Sequence, residues 1–226
     1  MKKIIFLIGL LLTTNFFCQD KREETSMENI IQLPTPTYES NTSVEEALLN
    51  RRSVRDYKTE SLSLSEVSQI LWSAQGITDT AEGLRTAPSA GALYPLEIYL
   101  VAANVKDLNP GIYKYSPQDH TLQKISEGDK RNEISNASLK QESITSASAI
   151  VVITAIYERT SVKYGKRTER YVNMEVGHVG QNIYLQAVSL GLGTVMVGAF
   201  TDDALKKVLN LPDDEHPLAL YPLGKI

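Results

Sequence analysis

The sequence predicts a single α+β domain built in layers. Three observations carry that expectation. Strand-like and helix-like stretches are interspersed, without the regular strand–helix alternation of a doubly wound fold. One stretch, ASAIVVITAIY, is strongly β-branched and reads as a strand buried on both faces. A long helical pattern, from about Glu169 to Leu190, ends at Gly191 and Gly193. A chain of 226 residues with 42% apolar and 22% charged residues is long and apolar enough for one sizeable core.

The elements follow in order. Ser43 and Glu46 form a Ser-x-x-Glu capping pattern that opens the helix VEEALLN. Ser63 and Glu66 form a second, opening EVSQILWSAQ, with Val67, Ile70, Leu71 and Ala74 on one face and Gly76 as C-cap. Gly83 to Pro95, GLRTAPSAGALYP, is a small-residue loop leading into the strand LEIYLVAA. GIYKYSPQDHTLQKI reads as a hairpin turning at Ser116 to His120. TVMVGAF reads as a strand, TDDALKKVLN as a short helix with Thr201 as N-cap, and LALYPLGKI as a closing strand.

Ahead of the domain, Lys2 and Lys3 precede the apolar run Ile4 to Leu12, the pattern of a secretory signal over residues 1–18. Cys18 stands where a lipoprotein cysteine stands, so the two readings are a lipid anchor at Cys18 or cleavage with its loss. Either makes the chain exported, to a bacterial periplasm or as a membrane-anchored lipoprotein. Residues 19–42, polar and carrying Pro34 and Pro36, read as a tether, with the domain proper at 43–226.

Composition excludes several function classes. With 23 basic and 27 acidic residues the formal charge is 23 − 27 = −4, which argues against nucleic acid as partner. A lone cysteine excludes an internal disulfide and a cysteine metal cluster. No dinucleotide glycine fingerprint, P-loop, His-Glu-x-x-His or Gly-x-Ser-x-Gly motif occurs. His120, His178 and His216 are scattered and read as structural or surface residues, so no metal site is expected.

Three stretches stand out. In RRSVRDY, an extended backbone puts Arg51, Ser53 and Arg55 on one side. Two guanidiniums and a hydroxyl converging there suit a phosphate, and a solvated basic turn pairing with Glu45, Glu46 and Asp56 is the alternative. TAPSAGALYP carries no charge and little bulk, which lets a flat ring approach the backbone; a simple tight turn would look the same. ERTSVKYGKRTERY sets Lys163 and Tyr164 side by side among Arg159, Lys166, Arg167 and Arg170. Most of that run reads as solvated charge, but Lys and Tyr are also usable proton carriers.

Taken in order, RRSVRDY, PSAGALYP, the Lys163-Tyr164-Gly165 run with its following Arg and Tyr, and GHVGQNIYLQAVSLGLGTVMVGAF resemble the nitroreductase superfamily. Within it the chain is similar to the SagB/ThcOx-type flavin dehydrogenases, from about Val44 to the C-terminus. The resemblance implies an α+β sandwich, a mixed or antiparallel sheet flanked by helices, that forms a homodimer with FMN at the interface. It implies that Arg51, Arg52, Ser53 and Arg55 hold the FMN phosphate, ribityl chain and pyrimidine edge. Pro88, Ser89, Ala90 and Gly91 match the loop that packs on the flavin, from the partner chain. Val197, Gly198 and Ala199 match the strand end whose amides approach the flavin N5, and Lys225 supplies a further cation. Lys163 and Tyr164 match a pair that assists proton removal while the flavin takes hydride.

The function so implied is an exported FMN-dependent dehydrogenase of a small or peptidic substrate. The alternatives are an NAD(P)H-dependent nitro or quinone reductase, a non-catalytic FMN-binding protein, and a surface lipoprotein that only mediates contacts.

Overall fold

The computed structural model describes residues 29–226. The expected signal segment and Cys18 lie outside the described residues.

The centre is a seven-stranded sheet in which every paired strand is antiparallel, in the order β1-β6-β5-β4-β7-β9-β8. The strands are β1 Ile30–Gln32, β4 Leu96–Ala102, β5 Gly111–Ser116, β6 Thr121–Glu127, β7 Ala149–Ala155, β8 Leu192–Thr194 and β9 His216–Lys225. A two-stranded ribbon, β2 Ile77–Asp79 with β3 Leu84–Arg85, stands apart. The helices are α1 Val44–Asn50, α2 Leu64–Gln75, α3 Arg131–Ala137, α4 Glu142–Thr145, α5 Tyr157–Tyr164, α6 Thr168–Ser189 and α7 Asp202–Leu209.

The β-branched stretch became β7, in the interior of the sheet and buried at all seven positions. Its side chains alternate between two cores, as a period of two requires. Val151 and Ile153 pack with Ile70, Leu71, Val179 and Ile183 from α2 and α6. Ile150 and Val152 pack with Ile134, Ile144, Leu205 and Leu209 from α3, α4 and α7. Helices therefore cover both faces, which is the expected sandwich.

The helix starts follow the predicted chemistry. Ser63 Oγ accepts the Glu66 N–H at 3.2 Å, and Glu66 Oε2 accepts the Ser63 N–H at 2.8 Å, closing a complete capping box on α2. Ser43 Oγ accepts the Glu46 N–H at 3.1 Å on α1. The long helix runs Thr168–Ser189, and Gly191 follows it with φ +66°, the left-handed geometry of a C-terminal cap.

Two expectations are corrected and two refined. The tether reading of 19–42 fails over its second half. Ile30–Gln32 pairs with β6 as an edge strand, Leu33 is buried, and Pro34 O accepts the Ser68 hydroxyl at 2.5 Å. TVMVGAF is not a strand beyond its first residue. Thr194 ends β8 opposite Leu223 of β9, the Met196 N–H donates to Tyr184 Oη at 2.8 Å instead of a ladder, and Val197 makes an isolated bridge to Leu220. Gly76 is the C-cap of α2 as expected, its N–H donating to Trp72 O at 2.7 Å, in an extended conformation (φ −62°, ψ 148°) because the chain runs straight into β2. Thr201 stands at the N-cap of α7, but its side chain makes no capping bond. Helices α3, α4 and α5 were not expected.

Candidate functional site

The predicted residues gather into two clusters, both anchored on α6. The first surrounds Tyr184. Val54 and Tyr57 pin the arginine stretch to the sheet: Val54 N–H donates to Thr194 O at 2.9 Å, and Tyr57 Oη donates to Val54 O at 2.8 Å and Pro222 O at 3.1 Å. Gly193 and Gly224 make room for them, since a Cβ at either would strike Val54 or Tyr57. With Val54 turned inward, Ser53 faces outward and its hydroxyl lies 3.1 Å from Tyr184 Oη. The Arg51 guanidinium sits 5.1 Å from the centre of the Tyr184 ring. Tyr184 Oη also receives the Met196 N–H, so one side chain ties Arg51 and Ser53 to the segment that leads into Val197, Gly198 and Ala199. Gly198 and Ala199 are exposed there.

The arginines divide by use. Arg52 Nη1 donates to Leu49 O at 2.9 Å and Arg51 O at 2.8 Å, capping the end of α1. Its guanidinium is spent on its own chain. Arg51 and Arg55 form no ion pair among the described residues; Arg55 makes one weak bond, Nη1 to Ser53 O at 3.4 Å. The solvated-turn alternative required pairing with Glu45, Glu46 or Asp56, and no such pair forms. Lys225 is committed elsewhere: its ammonium is paired with Glu66, the capping carboxylate of α2. It is not the spare cation the resemblance implied.

The second cluster lies near the N-terminal end of α6. Lys163 and Tyr164 end α5, which Gly165 terminates at φ +49°. Gly91 faces them with φ +65°. A Cβ there would stand 2.9 Å from both Lys163 Nζ and Tyr164 Oη. The small-residue loop and the Lys-Tyr pair, 72 positions apart, therefore meet at Gly91. The 3-10 turn Ala90–Ala92 shapes the loop, and Pro88 stands exposed at its entry.

Several residues without a sequence signal build this second cluster. Tyr171 packs edge-on against Tyr164, ring centres 4.8 Å apart. Arg159, one helical turn before Lys163, bonds Glu97 at 2.5 Å and Tyr94 O at 3.1 Å, fixing α5 to both β4 and the loop. Ser89 Oγ accepts the Tyr94 N–H at 2.9 Å and is hydrogen-bonded to Glu175. Glu175 is 2% exposed. Burial pushes its carboxyl up to about 7, against hydrogen bonds from Ser89 and Gln75 and the charge of Arg85, which all pull it down. Arg85 in turn donates to Gln75 Oε1 at 3.0 Å and stacks 4.4 Å from the Tyr94 ring centre.

The clusters are held apart. Tyr171 and Tyr184 are thirteen residues apart on one helix, roughly 20 Å along its axis. A cavity of about 690 Å³ belongs to neither; it lies between residues 37–44, α2 and the C-terminal half of α6, and no predicted site residue lines it.

The residues fit a phosphorylated flavin. Two unpaired guanidiniums beside a hydroxyl provide charge-assisted donors for a phosphate. Gly91 and its small neighbours let a flat ring reach Lys163 and Tyr164. Such a fold and such clusters define an oxidoreductase of the flavin-binding sandwich class. Comparison with known proteins agrees. The model of the Nitroreductase family matches residues 48–225. A protein of Methanocaldococcus jannaschii named as a nitroreductase is 48% identical over 182 residues, covering 80% of this chain and 90% of its own. The microcin-processing protein McbC of Escherichia coli, a SagB-type relative, is 28% identical over 66% of this chain and 57% of its own length. A crystal structure from Anabaena variabilis, also named as a nitroreductase, superposes with a TM-score of 0.76 at 31% identity, over 87% of this chain and 41% of that one. The chain belongs to the nitroreductase family and is a flavin-dependent oxidoreductase.

Proposed function

We propose that the protein is an FMN-dependent dehydrogenase of the SagB/ThcOx type, acting on a small or peptidic substrate as a homodimer with one flavin site built from both copies. One observation carries this reading: Lys163 Nζ and Tyr164 Oη converge on Gly91, the glycine of the flavin-packing loop. Bound FMN supplies hydride transfer at N5. Lys163 and Tyr164, beside the loop, take the proton that leaves the substrate. Arg51, Ser53 and Arg55 hold the phosphate, and the backbone of Val197, Gly198 and Ala199 borders the ring. The roughly 20 Å between the two clusters supports a second copy, which brings its Gly91 loop and Lys-Tyr pair to this copy's arginines.

The signal pattern at residues 1–18 supports export, with Cys18 as the anchor where it is retained. An NAD(P)H-dependent nitro or quinone reductase is the second reading, favoured by the name of the Methanocaldococcus relative. The test is the visible spectrum of purified protein. Yellow wild type with extractable FMN, and colourless Arg51→Ala/Arg55→Ala protein, are expected. A double variant that keeps full flavin refutes the assignment of the phosphate site.

A further inference from the structure

We propose that the Lys163–Tyr164 site takes a reactant bearing a negatively charged group (a carboxylate, sulfonate or phosphate), drawn in by Lys166, Arg167 and Arg170. This rests on the reading of Lys163 and Tyr164 given above.

The eight residues from Lys163 to Arg170 hold four cations and one acid, Glu169, in a chain whose formal net charge is −4. All four cations are exposed. Six cations elsewhere are paired with carboxylates: Arg159 and Lys114 with Glu97, Lys225 with Glu66, Arg131 with Asp129, Lys130 with Glu133 and Lys124 with Glu127. Among the described residues, Lys163, Lys166, Arg167 and Arg170 form no ion pair with a carboxylate. A solvated helix face normally mixes signs at spacings of three and four. Here the one acid, Glu169, stands three residues after Lys166, while Lys166 and Arg167 also stand four and three residues before Arg170, so like-charged neighbours outnumber the mixed pair.

That charge adjoins the reactive pair. Arg167 Nη1 donates to Tyr171 Oη at 3.3 Å, and the Tyr171 ring stands against Tyr164. One aromatic ring thus separates the Arg167 guanidinium from Tyr164. The 3-10 turn Gly165–Arg167 carries Lys166 and Arg167 straight on from the Lys-Tyr pair. Uncompensated positive charge at the rim of a site raises the local concentration of anions and their capture rate, and salt abolishes the effect.

The test uses photoreduced holoenzyme, so no physiological donor needs to be known. Its anaerobic reoxidation by 1,2-naphthoquinone-4-sulfonate and by neutral 1,4-naphthoquinone is followed in a stopped-flow instrument. Each rate constant is divided by that of free reduced FMN. The quantity read is the ratio of the two normalised rates. Wild type is expected to favour the sulfonate roughly fivefold at low ionic strength and less than about twofold at about 0.5 M salt. In Lys166→Gln/Arg167→Gln/Arg170→Gln the low-salt preference should fall below about twofold. A wild-type ratio near one, or one indifferent to salt, overturns the proposal even if the triple variant fails to fold. A preference that survives in a folded triple variant overturns the residue assignment. Protein that purifies without flavin overturns the proposed function, and this inference with it.

The same ratio for reduction by NADH against neutral 1-benzyl-1,4-dihydronicotinamide identifies the source of the charge. A salt-sensitive advantage there assigns the cations to a dinucleotide pyrophosphate. An advantage confined to the sulfonate assigns them to a small acid. Both results uphold an anionic reactant.

Discussion

Replacing Glu175 by Gln should flatten one component of the protein's pH-dependent stability. Glu175 is buried on α6 against Ser89 of the loop, Gln75 of α2 and Arg85 of β3, and its carboxyl is pushed from an ordinary 4.5 to about 7. The folded protein therefore binds this proton more tightly than the unfolded chain does. By linkage, the stability from Glu175 is fully present below about pH 4.5 and is lost as pH rises through about 7. A displacement of that size corresponds to at most about 3 kcal/mol, the cost of keeping the ionised group out of water. Gln keeps an oxygen to accept from Ser89 and has no charge to desolvate. Urea denaturation of both proteins from pH 5 to pH 8 should show near-equal stability at pH 5. The variant should gain roughly 1–3 kcal/mol over wild type by pH 8. Burial lowers the pKa of His120, so that residue adds stability as pH rises. It is common to both proteins and cancels in the difference. A difference that is flat across the window, or wild type gaining on the variant, refutes the assignment of Glu175 as a buried carboxyl strained by ionisation.

Two further outcomes test the site. If each flavin site takes its arginines from one copy and its Lys-Tyr pair from the other, co-expressing Arg51→Ala/Arg55→Ala with Lys163→Ala/Tyr164→Phe restores one intact site in every mixed dimer. Recovery of about a quarter of wild-type turnover is expected from statistical mixing of symmetric dimers, and none if the sites are built within single chains. Gly91→Ala should cost about 1 kcal/mol of stability for placing an L-residue at φ +65°. Its methyl group would displace Lys163 Nζ and Tyr164 Oη, so turnover per bound flavin should fall roughly tenfold or more. Unchanged turnover would separate that pair from the chemistry.

What the sequence made legible is what local pattern controls. The period-two side of Arg51, Ser53 and Arg55 was readable because Val54 must turn inward onto the sheet at Thr194. The same alternation set Arg52 aside, and the structure spends it on the end of α1. The capping box of α2, the Ser43 cap of α1 and the buried strand β7 were readable for the same local reason. The tether was misread because β1 is three residues long and takes its order from the β6 backbone, not from its own side chains. Lys225 was misread because its partner, Glu66, is 159 positions away.

The residues that join the site were illegible for a different reason. Periodicity reports which face of α6 is buried, but not what lies against it at each turn. The buried stripe of that one helix includes Glu175, whose partner is the loop serine, while half-buried Tyr184 two and a half turns later holds the arginine stretch. Both functional clusters are thus fastened to a single rigid element. A helix holds its residues at fixed separation, so within one chain the arginines and the Lys-Tyr pair cannot close on the same ring by a loop movement alone. That rigidity is why the complementation experiment discriminates: on the proposed reading the other half of the site comes from a second copy, and without one no mixed pair of variants recovers turnover.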